Sequence, residues 1–244
     1  MPDLTTDVVL NIAVFAGAFV SGLAGFAFSA VAGAILLRVL QPLEAVPLMM
    51  ACSIGVQAAN LWALRRNIYW EGSFLLIVGG AFGIPIAIYL LQSTDTYFLR
   101  VCFGAIVSLY AAYMLFRPKL ANSEQRTSRR LVALIGFGGG LVGGLTAMPG
   151  AIPTIWCDLR GIPKSDQRGL VQPFIAIMQV FALALLVGRQ SLSIKMVADL
   201  AVSLPALVAG SALGILAFRN INETAFRKII LALLLLSGGS LVFA

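Results

Sequence analysis

The side chains able to do chemistry in this 244-residue chain are few and mostly uncharged. Gln57 and Asn60 stand three apart and Gln172 and Gln179 seven apart, so each pair shares one face of a helix. Ser29, Thr146 and Thr154 lie in similarly uncharged surroundings. Two segments rich in helix-breaking residues accompany them. One is Ser21-Gly22-Leu23-Ala24-Gly25; the other runs from Gly138 to Pro153 and holds six glycines and two prolines. A helix that starts at such a break exposes up to four N–H groups and a partial positive charge. That end is a ready site for an anion. Pro149 and Pro153 suit the first turn of such a helix, because proline there forfeits little bonding. Gly150 lets a ligand approach the backbone closely, and Gly22 and Gly25 mark the corresponding place in the earlier segment. The chemistry these residues suit is anion binding by helix ends and neutral polar groups, with no buried arginine.

Each of these polar residues also has a structural use, since such side chains often hydrogen-bond between membrane helices. The charged residues point elsewhere. Asp158, Arg160, Asp166 and Arg168 cluster at one boundary, and the i, i+4 spacing of Lys195 and Asp199 accounts for both as a surface pair. No pair of carboxylates lies within an apolar run, which leaves hydrolase or proton-pump chemistry little to work with. There is no histidine, which argues against haem, zinc and copper sites, and the three cysteines have no metal-binding or disulfide spacing. The expectation is a protein that is not an enzyme and uses no cofactor and no metal.

The elements that must position these groups are membrane helices. Hydrophobic residues make up 60% of the chain, charged ones 11%, and the mean hydropathy is +0.97. Uncharged runs cover 8–37, 45–64, 72–94, 101–116, 131–157, 169–188, 200–218 and 229–244. Most reach the ~20 residues needed to cross a ~30 Å hydrocarbon core. They are continuous, unlike the alternating ten-residue segments of a β-barrel. A cleavable signal peptide is not expected, because Asp3 and Asp7 stand where a basic region would be. The net charge of +7 is read as a topological signal, not as a nucleic-acid surface.

The run lengths repeat: 30, 20, 23, 16, then 27, 20, 19, 16, on either side of a basic stretch at 117–130. Gly22-Leu23 matches Gly144-Leu145, and Gln57 matches Gln179, at an offset of 122. An internal duplication follows, with repeats at 1–116 and 131–244 joined by the 117–130 linker. A 30-residue helix would be about 45 Å long, more than the core needs. If the runs 8–37 and 131–157 each break into two short segments, each repeat has five membrane segments and the second is inverted. One side then receives Arg65, Arg66, Arg117, Lys119, Arg126, Arg129, Arg130, Arg160, Lys164, Arg168, Arg219, Arg227 and Lys228. The other keeps Arg38, Arg100, Arg189 and Lys195. That asymmetry fits the positive-inside rule, whereas eight single crossings split the basic residues evenly. The expected fold is therefore an all-α polytopic membrane protein of two inverted repeats, each with a broken first helix and with both termini periplasmic. Gly79/Gly83 and Gly210/Gly214 are expected at close helix contacts.

With these features the chain resembles the sulfite exporter TauE/SafE family of membrane permeases. The second-half signature, Gly143-Gly144-Leu145-Thr146-Ala147-Met148-Pro149-Gly150 followed by Pro153, carries most of the likeness. The first half, Gly22-Leu23-Ala24-Gly25-Phe26-Ala27-Phe28, keeps only isolated glycines. The resemblance implies transport of small sulfur-containing or organic anions such as sulfonates or sulfite; the inside-negative membrane potential favours export as the direction. Its partners would be that small anion and the lipid bilayer of a bacterial inner membrane, with no nucleic acid; a homodimer is one candidate assembly. The competing functions are an anion-selective channel and a non-transporting assembly factor.

Overall fold

Long uncharged runs with no water to bond their backbone must satisfy it internally, and they do so as helices. The computed structural model describes residues 4–24, 27–65, 68–116, 128–189, 194–218, 231–232, 234–236 and 238–239, and all regular structure among them is helical. The helices are α1 (Leu4–Ala24), α2 (Phe28–Leu36), α3 (Pro42–Leu64), α4 (Trp70–Ser93), α5 (Thr96–Phe116), α6 (Arg129–Thr146), α7 (Ala151–Leu159), α8 (Lys164–Gly188) and α9 (Ile194–Phe218). Five stretches within them are long and apolar enough to cross a membrane: Pro42–Trp62, Trp70–Ser93, Thr96–Phe116, Asp166–Gly188 and Ile194–Gly214. The chain is a polytopic helical membrane protein.

Its surface is apolar and its polar groups turn inward. Phe74, Val78, Phe82, Ile86 and Tyr89 form an exposed stripe along α4, while Ser53, Gln57, Thr154, Gln172 and Gln179 are buried. Lipid outside and polar partners inside account for this arrangement.

Both long uncharged runs break, as the sequence expects, but unequally. The first pieces, α1 and α6, have 21 and 18 residues, and the second pieces, α2 and α7, have nine each. Nine residues rise about 13 Å, so α2 and α7 reach less than half-way through the core. Each folds back on its predecessor: Gly17 of α1 lies against Phe28 and Ala32, and Gly143 and Gly138 of α6 lie against Pro149 and Ile152.

Glycines set the main helix contacts. A methyl group on Gly79 or Gly83 of α4 would overlap the carbonyl oxygens of Ala133 or Phe137 on α6. Gly136, Gly140 and Gly144, spaced by four, return the contact against Leu76, Gly80 and Ala87. Gly210 and Gly214 of α9 meet the carbonyl oxygens of Phe15 and Phe19 on α1 in the same way. In both seams residue numbers rise together, so α4 runs parallel to α6 and α9 to α1.

Polar ties mark the ends of the bundle. Arg100 Nη2 donates to Leu40 O (3.3 Å), Arg189 Nη1 to Gln92 Oε1 (3.1 Å), and Lys195 Nζ pairs with Glu44 Oε2 (3.3 Å). Lys195 thus pairs with Glu44 of α3, a partner the sequence did not suggest, while its charge also acts on Asp199 one turn on. At the opposite end Tyr69 N donates to Gly169 O (3.1 Å) and Ser73 Oγ to Leu170 O (2.7 Å), so α4 and α8 start together.

Candidate functional site

The two breaks place left-handed backbone in the interior. Ala27 (φ 81°) caps the start of α2 and Ala147 (φ 56°) ends α6; they are the only non-glycine residues with positive φ among the described residues. Each costs about 1 kcal/mol, and such strain tends to persist where function needs it. Ala147→Gly should therefore raise stability by about 1 kcal/mol. A thermal unfolding midpoint that stays put or falls would show that the turn is not strained.

Both breaks open onto one hollow of about 410 Å³, mouth included. The part of it that water-sized groups can enter is about 40 Å³, a small and partly open space. The α1–α2 break contributes Ser21, Ala27, Phe28 and Ser29, and the α6–α7 break contributes Ala147 to Ala151 and Thr154. The walls between them are Ser53 and Gln57 of α3, Tyr110 of α5, and Ile175 and Gln179 of α8. Ser53 is the midpoint of α3, so the hollow lies about half-way along the membrane helices. Among the described residues, no Lys, Arg, Asp or Glu lines it. Positive potential comes instead from the N-terminal turns of α2 and α7, whose leading N–H groups have no partner within their own helix.

Side-chain bonds orient the polar walls. Asn60 Nδ2 donates to Gln57 Oε1 (3.0 Å), which leaves the Nε2 side of the Gln57 amide for other acceptors. Gln179 Nε2 donates to both Ser53 Oγ (2.8 Å) and Ala147 O (3.2 Å), tying α8 to α3 and to the second break.

Ser29, Gln57, Pro149, Gly150 and Gln179 line the hollow together. Asn60 stands behind Gln57 and touches the site only through it. Thr146 is buried, with its hydroxyl donated to Val142 O one turn back (2.7 Å). Gln172 is buried on α8 outside the lining, and Gly22 is half-buried outside it. Gly25 falls outside the described residues. Ser53 and Tyr110 are lining residues that sequence reasoning missed. Ser53 lies one turn before Gln57 on the same face, a spacing that would have found it; nothing in the sequence singles out Tyr110.

Residues 9–241 match the family model described as sulfite exporter TauE/SafE. The chain belongs to this family. No curated protein and no solved structure gives a significant match. Membership in the TauE/SafE family makes the chain a multi-pass transporter, not an enzyme, with a small anion of the sulfite or sulfonate type as its class of cargo. A neutral hollow ringed by helix N-termini suits such cargo.

Proposed function

We propose that this TauE/SafE-family chain exports small sulfur-containing anions, sulfonates or sulfite, by alternating access, with the anion held between the two breaks. One observation carries the reading: the first turns of α2 and α7 open onto the same hollow as Gln57 and Gln179. Converging half-helix N-termini near the midplane are a recurrent transporter device. The positions of α3 and α8 support two inverted repeats, at 1–116 and 131–244. Each follows the short helix of its half, and they point in opposite directions because α4 starts where α3 ends and beside the start of α8. The sparsely basic end, with Arg100, Arg189 and Lys195, then faces the periplasm, as do both termini. Export follows the membrane potential, worth about 2.3 kcal/mol per charge per 100 mV, and needs no coupling carboxylate. Arg160, Lys164 and Arg168 at the cytoplasmic end would draw anions toward the hollow.

Reconstituted vesicles test this. Efflux of labelled sulfite or sulfonate should saturate and show counterflow. Gln57→Ala should lower it about tenfold or more, the worth of one hydrogen bond to a charged ligand. Thr146→Ala, which removes a hydroxyl already bonded to its own helix, should stay within about twofold of the unaltered chain. Linear flux with single-channel currents would make the protein a pore, and unchanged flux in Gln57→Ala would move the site elsewhere.

A further inference from the structure

A residue lining the hollow carries a buried polar atom whose needs an ordinary anion does not meet. Gln179 is 2% exposed and lines the hollow, and both of its hydrogen bonds are made by Nε2. Its Oε1 is buried and has no hydrogen-bond partner among the described residues. Rotating the amide does not help, because Oε1 would then face the carbonyl oxygen of Ala147, an acceptor. A buried acceptor left unpaired costs about 1–3 kcal/mol. In a site otherwise furnished with donors, this atom wants a donor from the ligand.

The charge available is also limited. Each helix N-terminus is worth roughly half an elementary charge, so those of α2 and α7 together offset about one. With no cationic side chain among the described lining residues, a second negative charge on the ligand would sit uncompensated among buried groups.

We infer that the hollow selects sulfur oxyanions that carry a single negative charge and a hydroxyl donor, over dianions and over sulfonates without a donor. Hydrogen sulfite and hydroxyalkyl sulfonates have this chemistry; the sulfite dianion, sulfate and simple alkyl sulfonates lack it. The ligand's anionic oxygens face the first turns of α2 and α7 and the Nε2 of Gln57. Its hydroxyl donates to Gln179 Oε1. This selectivity rests on the proposed anion site and adds to it the protonation state of the cargo.

Calorimetric titration of the full chain in detergent, with four ligands, tests it. Sulfite affinity should fall about tenfold for each pH unit above the second ionisation of sulfurous acid, as the monoanion is depleted. Hydroxyethanesulfonate, ionised at every pH used, should bind with no such fall and about tenfold tighter than ethanesulfonate. Sulfate should bind more weakly than either. In Gln179→Leu the preference for hydroxyethanesulfonate should shrink to within about twofold, whatever the absolute affinities. If none of the four binds, the anion site itself is wrong. If they bind with no preference for the hydroxyl and no dependence on sulfite protonation, the anion site stands and the selectivity fails. The ligand series on the unaltered chain decides between these even if Gln179→Leu does not fold.

Discussion

Ser29→Asp should leave the chain folded and abolish anion binding. Ser29 is the second residue of α2, 3% exposed, and lines the hollow. A carboxylate in the first turn of a helix is stabilised by the N-terminal N–H groups, by about 0.3–1 kcal/mol and up to about 2 when partly buried. Those same N–H groups hydrogen-bond its charged form. The variant thus carries a tethered copy of its own ligand. An incoming anion about 4 Å away would be repelled by about 4 kcal/mol at an effective dielectric constant of 20. That is about a thousandfold in affinity. Ser29→Asn, similar in size and uncharged, should bind within about tenfold of the unaltered chain. Thermal unfolding and titration with sulfite, run side by side, separate the two effects. An aspartate variant that unfolds at the usual temperature and still binds sulfite at full strength would remove the α2 end from the site.

The positions of the breaks were legible because glycine and proline leave a strong mark in an apolar run: Gly143 to Gly150 brackets the left-handed turn at Ala147, and Ser21 to Gly25 ends two residues before the one at Ala27. Which polar residues reach the hollow was only half legible. Gln172 and Gln179 share a helix face, but seven residues separate them by about 10 Å along the axis, and of the two only Gln179 lines the hollow. Spacing gives the face and not the depth. Thr146 lies within the signature itself, yet its hydroxyl is satisfied by Val142 O, a local bond that composition cannot reveal. The glycines of the 138–144 stretch divide between two tasks. Gly140 and Gly144 face α4, whereas Gly139 and Gly143 face the turn at Pro149. A one-dimensional pattern has no means of separating them. Lys195 shows the same limit, since its partner Glu44 is 151 residues away in sequence.

Gly83→Leu and Gly214→Leu should each cost the chain its folded state. At Gly83 a Cβ would overlap the carbonyl oxygen of Phe137 and lie 2.9 Å from the backbone nitrogen of Leu141. At Gly214 it would overlap the carbonyl oxygen of Phe19 and lie 3.1 Å from that residue's Cα. These neighbours are main chain inside helices, so no side-chain rotation relieves the contact, and the helices must separate. Overpacking of a well-packed core typically costs about 1–3 kcal/mol, occasionally more. A whole leucine against immovable backbone belongs at or above the upper end. The consequence reaches the site, because the α4–α6 and α9–α1 seams each tie one half of the chain to the broken helix of the other. Prising either apart pulls α6 or α1 away from the short helix that folds back on it. Gly188→Leu is the matched control: a Cβ there meets nothing within 4 Å, and the change should stay within about 0.5 kcal/mol. Size-exclusion profiles and unfolding midpoints of the three variants in one detergent provide the comparison. If Gly83→Leu and Gly214→Leu behave like Gly188→Leu, the seams are looser than van der Waals contact and cannot be what holds the two breaks face to face.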